Sequence, residues 1–147
     1  MNVIIFAVGK PKTNFFDSAI AEYQKRLSRW VKLQWRFFPT SNKAEESKQL
    51  LASLPTDAYA ILLDERGVQW STPELAQHLE KLQNQATKNL IFIIGGAHGV
   101  DDSLMMRVDF TWSLSKLVFP HEQVRLMLAE QLYRAYDINA NGSYHHL

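Results

Sequence analysis

A cluster of glycines stands where an apolar segment ends. The stretch LIFIIGGAHGVDD, residues 90–102, runs from five apolar residues into Gly95-Gly96, with a third glycine at Gly99. Glycine permits positive φ and lets a ligand touch the backbone. No Gly-Lys-Ser/Thr follows, and the GGxxG spacing comes after the fourth predicted strand, whereas the dinucleotide fingerprint follows the first. The turn indicates either a backbone-lined pocket for an uncharged or weakly charged ligand or a tight β-to-α turn needed only for packing.

The segment Trp112–Pro120, WSLSKLVFP, is unusual for a strand because two serines and a lysine interrupt it. One interpretation is an edge strand with a kink. The other is a loop whose backbone amides and carbonyls read an adenine edge while Leu114, Leu117 and Phe119 flank the ring.

The C-terminal tail, residues 139–147, carries Tyr144-His145-His146. Most polar tails are disordered, and removal of this one is predicted to cost little stability. Neighbouring histidines without a nearby carboxylate or cysteine make a poor metal site. Alternatively, the tyrosine and a histidine lie at the mouth of a pocket, where they stack on a base and accept a proton. Glu130 and Arg134, four residues apart, predict a surface ion pair.

Basic residues are grouped on the first predicted helix, at Lys25, Arg26 and Arg29. They form either a solvated face or a phosphate-contacting patch. The formal net charge of the chain is only +1. RNA affinity would therefore have to come from local clustering of charge.

The composition indicates one domain covering residues 1–147, with 46% hydrophobic residues and a core that needs no covalent staples. The absence of cysteine excludes disulfides, cysteine zinc sites and thiol nucleophiles, and it fits a reducing, cytoplasmic location. No stretch approaches the roughly 20 apolar residues of a membrane span. The N-terminus is typical of a first strand rather than a signal peptide.

Strand and helix patterns alternate five times along the chain. Strands are predicted at residues 3–8, 31–37, 59–64, 90–94 and 112–119. Helices are predicted at residues 16–30, 42–54, 71–82 and 124–138, with a short one capped by Asp101 or Asp102. This alternation predicts an α/β fold, a parallel sheet with helices on both faces. Ligands bind beyond the carboxyl ends of such strands, which here are residues 63–67, 95–96 and 113–120.

The last predicted helix, residues 124–138, has an apolar face wider than one stripe. Val124, Leu128 and Leu132 carry the main stripe, and Leu126 and Met127 widen it. A face wider than about 100° indicates a second packing partner, such as another subunit.

Six motifs taken together resemble one family: VGK, EYQKRL, LLDERG, FIIGGAHG, WSLSKLVFPHEQVRLMLAEQLYRAY and YHH. They are similar to the YbeA-like branch of the SPOUT methyltransferases, the ribosomal RNA large-subunit methyltransferase H family, over essentially the whole chain. The resemblance implies a C-terminal trefoil knot, a homodimer and the cofactor S-adenosylmethionine. It also implies methylation of N3 of a pseudouridine in helix 69 of 23S rRNA on the assembled ribosome.

The resemblance also implies site residues. The cofactor pocket is expected at Leu63, Gly95, Leu114, Ser115, Lys116, Leu117, Val118 and Phe119. His145 or Tyr144 is expected to remove the N3 proton or to order the base, and Arg134 to hold phosphate or stabilise a developing anion. No metal is needed, and His146 is given no role. Two alternatives stay open: a SPOUT enzyme with another RNA target, and a non-catalytic RNA-binding α/β module.

Overall fold

The computed structural model describes residues 1–11 and 15–146, so Leu147 at the end of the predicted tail lies outside the described residues. Strands and helices alternate as the sequence predicts. In chain order they are β1 (Asn2–Val8), α1 (Asp17–Leu27), β2 (Leu33–Phe38), α2 (Lys43–Ser53), β3 (Tyr59–Gln69), α3 (Thr72–Asn84), β4 (Asn89–Ile94), α4 (Asp102–Arg107), β5 (Phe110–Ser113) and α5 (His121–Asn139).

The five strands form one parallel sheet in the order β2-β1-β4-β3-β5. This confirms the predicted α/β class. The carboxyl ends of β1, β3 and β4 therefore meet at one edge of the sheet. The trefoil knot stays a prediction from the family resemblance, because strand order alone does not define how the chain is threaded.

Each face of the sheet is buried by its own set of helices. On β1, Val3, Ile5 and Ala7 point into a core shared with α1, α3 and α5, whereas Phe6 and Val8 point into a core shared with α2 and α4. Side chains alternate between faces along a strand, so a strand buried on both sides must be apolar throughout. Among the described residues, no helix is both long and apolar enough to cross a membrane.

Polar side chains cap the starts of α2, α3 and α4. Ser71 and Glu74 form a reciprocal capping box at α3, with Glu74 Oε2 accepting from Ser71 N at 2.6 Å. Asn42 caps α2 by accepting from the amide of Glu45 at 2.8 Å. At α4 the cap is Asp101, one of the two predicted candidates, and it accepts from the amide of Leu104 at 3.1 Å.

The prediction of a fifth strand over residues 112–119 is wrong for most of that range. β5 spans only Phe110–Ser113, and a loop follows. The serines explain the change: Ser113 Oγ donates to the carbonyl of Ser115 at 2.7 Å, and Ser115 Oγ accepts from the amide of Leu117 at 3.1 Å. Such local bonds compete with a sheet ladder.

Three helix or strand ends also differ from prediction. α1 ends at Leu27 rather than at Trp30, and the hydroxyl of Ser28, the residue after it, donates back to the carbonyl of Lys25 at 2.6 Å. α5 begins at His121, directly after Pro120. β3 continues to Gln69, since it pairs with β5 in two stretches separated by an irregularity between Leu63 and Val68.

Gly67 lies in that irregularity, and we expect Gly67→Ala to destabilise the fold. A Cβ there would overlap the carbonyl oxygen of Thr111 and lie 2.6 Å from its carbonyl carbon and 2.8 Å from Trp112 N. Backbone atoms give way at high cost, so we expect a loss of about 1–3 kcal/mol in urea unfolding. The control is Val68→Ala on the same strand, at a side chain that is 57% exposed, which should change stability by about 0.5 kcal/mol or less. Equal midpoints for the two variants would contradict this packing.

Candidate active site

A cavity of about 540 Å³ lies at the carboxyl edge of the sheet. Its walls come from the ends of β3 and β4, the loop after β5 and the first turn of α5. Of the predicted cofactor residues, seven line it: Leu63, Gly95, Leu114, Ser115, Leu117, Val118 and Phe119. Lys116 is exposed and does not line it. Three segments that are separate in the sequence thus form one concave site in the fold.

The glycines of the turn serve different purposes. A Cβ on Gly95 would lie 3.0 Å from Val100 Cγ1, so close packing under the cavity floor is one reason for glycine there. A Cβ on Gly96 would overlap the carboxylate of Glu46. Positive φ occurs only at Gly99 among the three, at +77°. Both interpretations of the turn are therefore compatible: it is tightly packed, and it lines a cavity.

One wall of the cavity carries an ion pair that the sequence analysis did not single out. Arg66 Nε donates to Asp64 Oδ1 at 2.8 Å, and Nη2 donates to Oδ2 at 2.9 Å. The hydrogen bonds from Arg66 hold the pKa of Asp64 below its ordinary value, against the effect of burial. The carboxylate side chain is 9% exposed, so its negative charge is held in place beside Arg66, at the irregularity in the middle of β3.

Glu46 is a buried carboxylate behind the glycine turn, and sequence reasoning missed it. It is 3% exposed, and its Oε2 accepts from the amide of Ser41 at 2.8 Å. Within the described part of the chain, Oε1 has no hydrogen-bond partner. The local sequence gave no signal, because AEESKQLL is typical of a polar helix face.

Arg125 attaches the first turns of α5 to the sheet, and His121 lies one turn before it on the same helix. Arg125 is 5% exposed, and its Nη2 donates to the carbonyls of Val8 at 3.1 Å and Gly9 at 3.0 Å. Burial lowers the pKa of Arg125. His121 lines the cavity, and burial, followed by the positive charge of Arg125, lowers its pKa, although Glu46 and Glu122 oppose the shift.

The lowered pKa of His121 predicts a pH-dependent stability. The unfolded chain takes up the proton at the ordinary value, so it binds more protons than the folded chain as pH falls below about 6.5. Stability from this group is therefore complete above that value and decreases as pH falls through the window below it. In His121→Gln, the free energy of unfolding should fall less steeply between about pH 6.5 and 5. Parallel pH profiles for the two proteins would contradict the burial of a neutral imidazole.

The predicted catalytic residues meet at the other end of α5. Arg134 Nη1 lies 3.2 Å from His145 Nδ1, and its guanidinium carbon lies 4.5 Å from the centre of the Tyr144 ring. Arg134 Nε donates to Glu130 Oε1 at 2.8 Å, and Tyr144 Oη donates to the same oxygen at 3.1 Å. The ion pair predicted between Glu130 and Arg134 is confirmed, but both side chains are more than two-thirds buried. We call Glu130, Arg134, Tyr144 and His145 the tail cluster.

Tyr144 is docked, which corrects the expectation that the tail can be removed at little cost. Its ring lies edge-on to Tyr133 at 4.7 Å, and its amide donates to Asp137 Oδ2 at 3.0 Å. Its hydroxyl lies 3.3 Å from the hydroxyl of Tyr23. Because Tyr144 donates to Glu130, Tyr23 must donate to Tyr144.

Burial, the hydrogen bond with Tyr23 and the charge of Glu130 raise the pKa of Tyr144 well above its ordinary value. A proton acceptor must lose its own proton first. Tyr144 therefore stays a neutral hydroxyl near neutral pH and suits positioning better than proton removal.

None of the four tail-cluster residues lines the cavity in the described part of the chain. Val124 lines the cavity, whereas Arg134 is ten residues later on α5, about 15 Å along the helix axis. Leu114 connects them, since it lines both the cavity and a neighbouring groove of about 560 Å³. This groove contains Trp112, Leu126, Met127 and Glu130.

Much of the wide apolar face of α5 is covered by the chain itself. Leu128, Leu132 and Ala135 are fully buried in the core shared with α1 and α3. Leu126 and Met127 are only partly buried and face the groove. The part of the face that the chain itself leaves uncovered is therefore the groove, not the whole stripe.

The basic group at the end of α1 and just after it, Lys25, Arg26 and Arg29, is partly engaged. Arg26 pairs with Glu22 at 3.0 Å and lies over the rings of Tyr23 and Tyr133. Arg29 lies over the ring of Trp30. Within residues 1–11 and 15–146, no three histidine or acidic side chains are grouped so that they could hold a metal ion.

Comparison with known proteins identifies the family of this chain. A family model described as a predicted SPOUT methyltransferase matches residues 1–145, almost the entire chain. The chain belongs to the SPOUT methyltransferase family. The recognition made from sequence motifs is thereby confirmed.

Relatives of this SPOUT methyltransferase are similar over their full length. Proteins named ribosomal RNA large subunit methyltransferase H are 38% identical in an Exiguobacterium species, covering 99% of both chains, and 37% identical in Desulfotalea psychrophila, covering 96% of this chain and 97% of that one. Another of that name, from Christiangramia forsetii, is 34% identical and covers 99% of both chains.

Proposed function

We propose that this chain transfers a methyl group from S-adenosylmethionine to large-subunit ribosomal RNA, at N3 of a pseudouridine in helix 69 on the assembled ribosome. The observation that carries the proposal is the cavity at the carboxyl edge of the sheet. It is built from Gly95 and the loop 114–119 in a chain that belongs to the SPOUT family. The names of the full-length relatives support RNA of the large subunit as the substrate.

The cavity fits a cofactor of this size and chemistry. Its volume of about 540 Å³ lies within the range of small-molecule sites, about 300–1,000 Å³. Leu117 and Val118 are 69% and 79% exposed, although both are apolar and line the cavity. A flat apolar ring such as adenine would cover them. When bound, the cofactor supplies an electrophilic methyl group, which needs an aligned nucleophile rather than a metal.

The chain's own residues would hold and orient the two reactants. The loop 114–119 would hold the cofactor, and the tail cluster would meet the target base. In that cluster Arg134 is positively charged and fixed by Glu130. It suits a phosphate or a developing negative charge.

We also propose that the active enzyme is a homodimer in which the tail cluster of one copy approaches the cavity of the other. The distance between the two sites on α5 makes a site within one chain unfavourable. The groove beside Leu114 is lined by Trp112, Leu126 and Met127, an apolar surface suited to a second copy. The trefoil knot belongs to the same proposal, as the family's way of forming the loop around the cofactor.

Calorimetry with S-adenosylmethionine tests the cofactor site. Leu117→Asp should weaken binding at least tenfold, because covering a leucine contributes about 1.5 kcal/mol or more. Met106→Asp is the matched control: Met106 is 86% exposed and does not line the cavity. Gly95→Val is a less specific test of the cofactor site, because its side chain would also crowd Val100 and could disturb the fold. Equal affinities for the two aspartate variants would place the cofactor elsewhere.

Methyl transfer to ribosomes that lack the modification tests the substrate. Labelled methyl groups should appear in 23S rRNA, and mass mapping of nuclease fragments should locate them in helix 69. Label at another position would favour a SPOUT enzyme with a different RNA target. Absence of both cofactor binding and label would favour the non-catalytic RNA-binding module.

Mixing two inactive chains tests the shared site. Leu117→Asp damages the cavity and His145→Ala damages the tail cluster, so each homodimer should be slow. Unfolded and refolded together, they form mixed dimers with one intact cavity facing one intact tail, and about a quarter of parent activity should return. Sedimentation should show a dimer throughout. A monomer at micromolar concentration, or no recovery on mixing, would contradict the proposal.

A further inference from the structure

The contact between Arg134 and His145 defines which ring nitrogen carries the histidine proton. Nη1 of Arg134 lies 3.2 Å from Nδ1 of His145. A guanidinium has five N–H donors and no acceptor. Nδ1 must therefore accept, and it carries no proton in this arrangement. A neutral imidazole has one N–H, so the proton is on Nε2.

Arg134 is itself held firmly enough to impose this tautomer. Its Nε donates to Glu130 Oε1 at 2.8 Å, and its side chain is 26% exposed. The hydrogen bond that Arg134 donates to Glu130 raises the pKa of Arg134, so the guanidinium remains a donor at every pH of interest. Stacking over the ring of Tyr144, at 4.5 Å, fixes its plane.

The other side of the His145 ring is available. Among the described residues, no hydrogen bond to Nε2 is formed, and the side chain is partly exposed. Tyr144, the preceding residue, is anchored by Tyr23, Glu130 and Asp137. The tail thus presents one oriented N–H group beside a fixed positive charge.

We propose that His145 acts as a hydrogen-bond donor, through Nε2–H, to a carbonyl oxygen of the target pyrimidine, and that it does not accept the N3 proton. The proposal rests on the proposed function and defines the role of one residue within it. When N3 loses its proton to water, the negative charge is shared between N3 and the two carbonyl oxygens beside it. A fixed donor at one of these oxygens stabilises that charge where it develops.

A base at this position would require the opposite arrangement. For Nδ1 to take the proton, His145 would have to break its bond to Arg134 and place a second N–H against the guanidinium. For Nε2 to take it, the resting proton would have to move to Nδ1, where Arg134 also opposes it. Both routes lose a hydrogen bond that the donor role keeps.

Nitrogen NMR of the free protein tests the tautomer without any substrate. With ¹⁵N-labelled histidine, His145 should show a protonated Nε2 and an unprotonated Nδ1 near neutral pH. The spectrum of His145→Gln assigns the signals among the five histidines of the chain. In Arg134→Ala the preference should weaken. A protonated Nδ1 in the parent would overturn the proposal and leave the methyltransferase proposal intact.

Variants at His145 test the donor role in the reaction. The amide nitrogen of glutamine reaches the position of Nε2, whereas that of asparagine reaches the position of Nδ1. His145→Gln should therefore retain a rate within about tenfold of the parent, while His145→Ala and His145→Asn should lose about 10²–10³-fold, as for loss of one transition-state donor. Equal losses in the glutamine and alanine variants would overturn the proposal.

The pH profile separates the donor from a base. While bound N3 is still mostly protonated, it loses its proton to solvent more readily as pH rises, so a missing base matters less with rising pH, whereas a missing donor lowers the rate by the same factor throughout that range. The ratio of parent to His145→Ala rates should stay constant across the pH range in which both rates still rise with pH. A ratio that shrinks as pH rises would overturn the donor role. No methyl transfer by the parent would instead overturn the proposed function, while the tautomer measurement would still stand.

Discussion

Parallel pairing of β1, β4 and β3 is the constraint on which the rest of the molecule depends. It buries both faces of the three central strands, so helices must cover each side, and it brings the strand ends together at one edge. The backbone groups beyond that edge have no further strand to pair with. The glycine turn after β4 and the serine-rich loop after β5 satisfy them locally, and the cavity lies between these two loops.

α5 connects the edge of the sheet to the tail cluster. Near its start, the buried guanidinium of Arg125 bonds the carbonyls of Val8 and Gly9, which fixes the helix against β1. Its middle is packed between α1 and α3. Glu130 lies at its midpoint and Arg134 one turn later. A rigid helix held at one end by the sheet therefore determines where the tail residues lie relative to the cavity.

Glu130 organises the polar chemistry of the tail. One of its oxygens accepts from Arg134 and from Tyr144, and Tyr144 accepts in turn from Tyr23. In this series of hydrogen bonds, the hydroxyls of Tyr23 and Tyr144 and the guanidinium of Arg134 all donate, so Tyr144 is neutral and Arg134 is charged. Such a network gives a fixed orientation to the residue that follows it, since rotating any one group would leave a partly buried partner unsatisfied.

The sequence by itself determined the alternation of elements, the parallel sheet, the cap of α4 at Asp101 or Asp102 and most of the residues around the cavity, because periodicity, turn chemistry and motifs are local properties of the chain. It did not determine the end of β5 or the close packing of Gly67 against Thr111, since these depend on the neighbouring strand. The burial of Glu46 could not be predicted for the same reason, because its carboxylate packs against Gly96, fifty residues later in the sequence. Only the tertiary structure decided that Tyr144 is docked and that Arg134 faces Nδ1 of His145, because a side-chain tautomer depends on distances that no local pattern encodes.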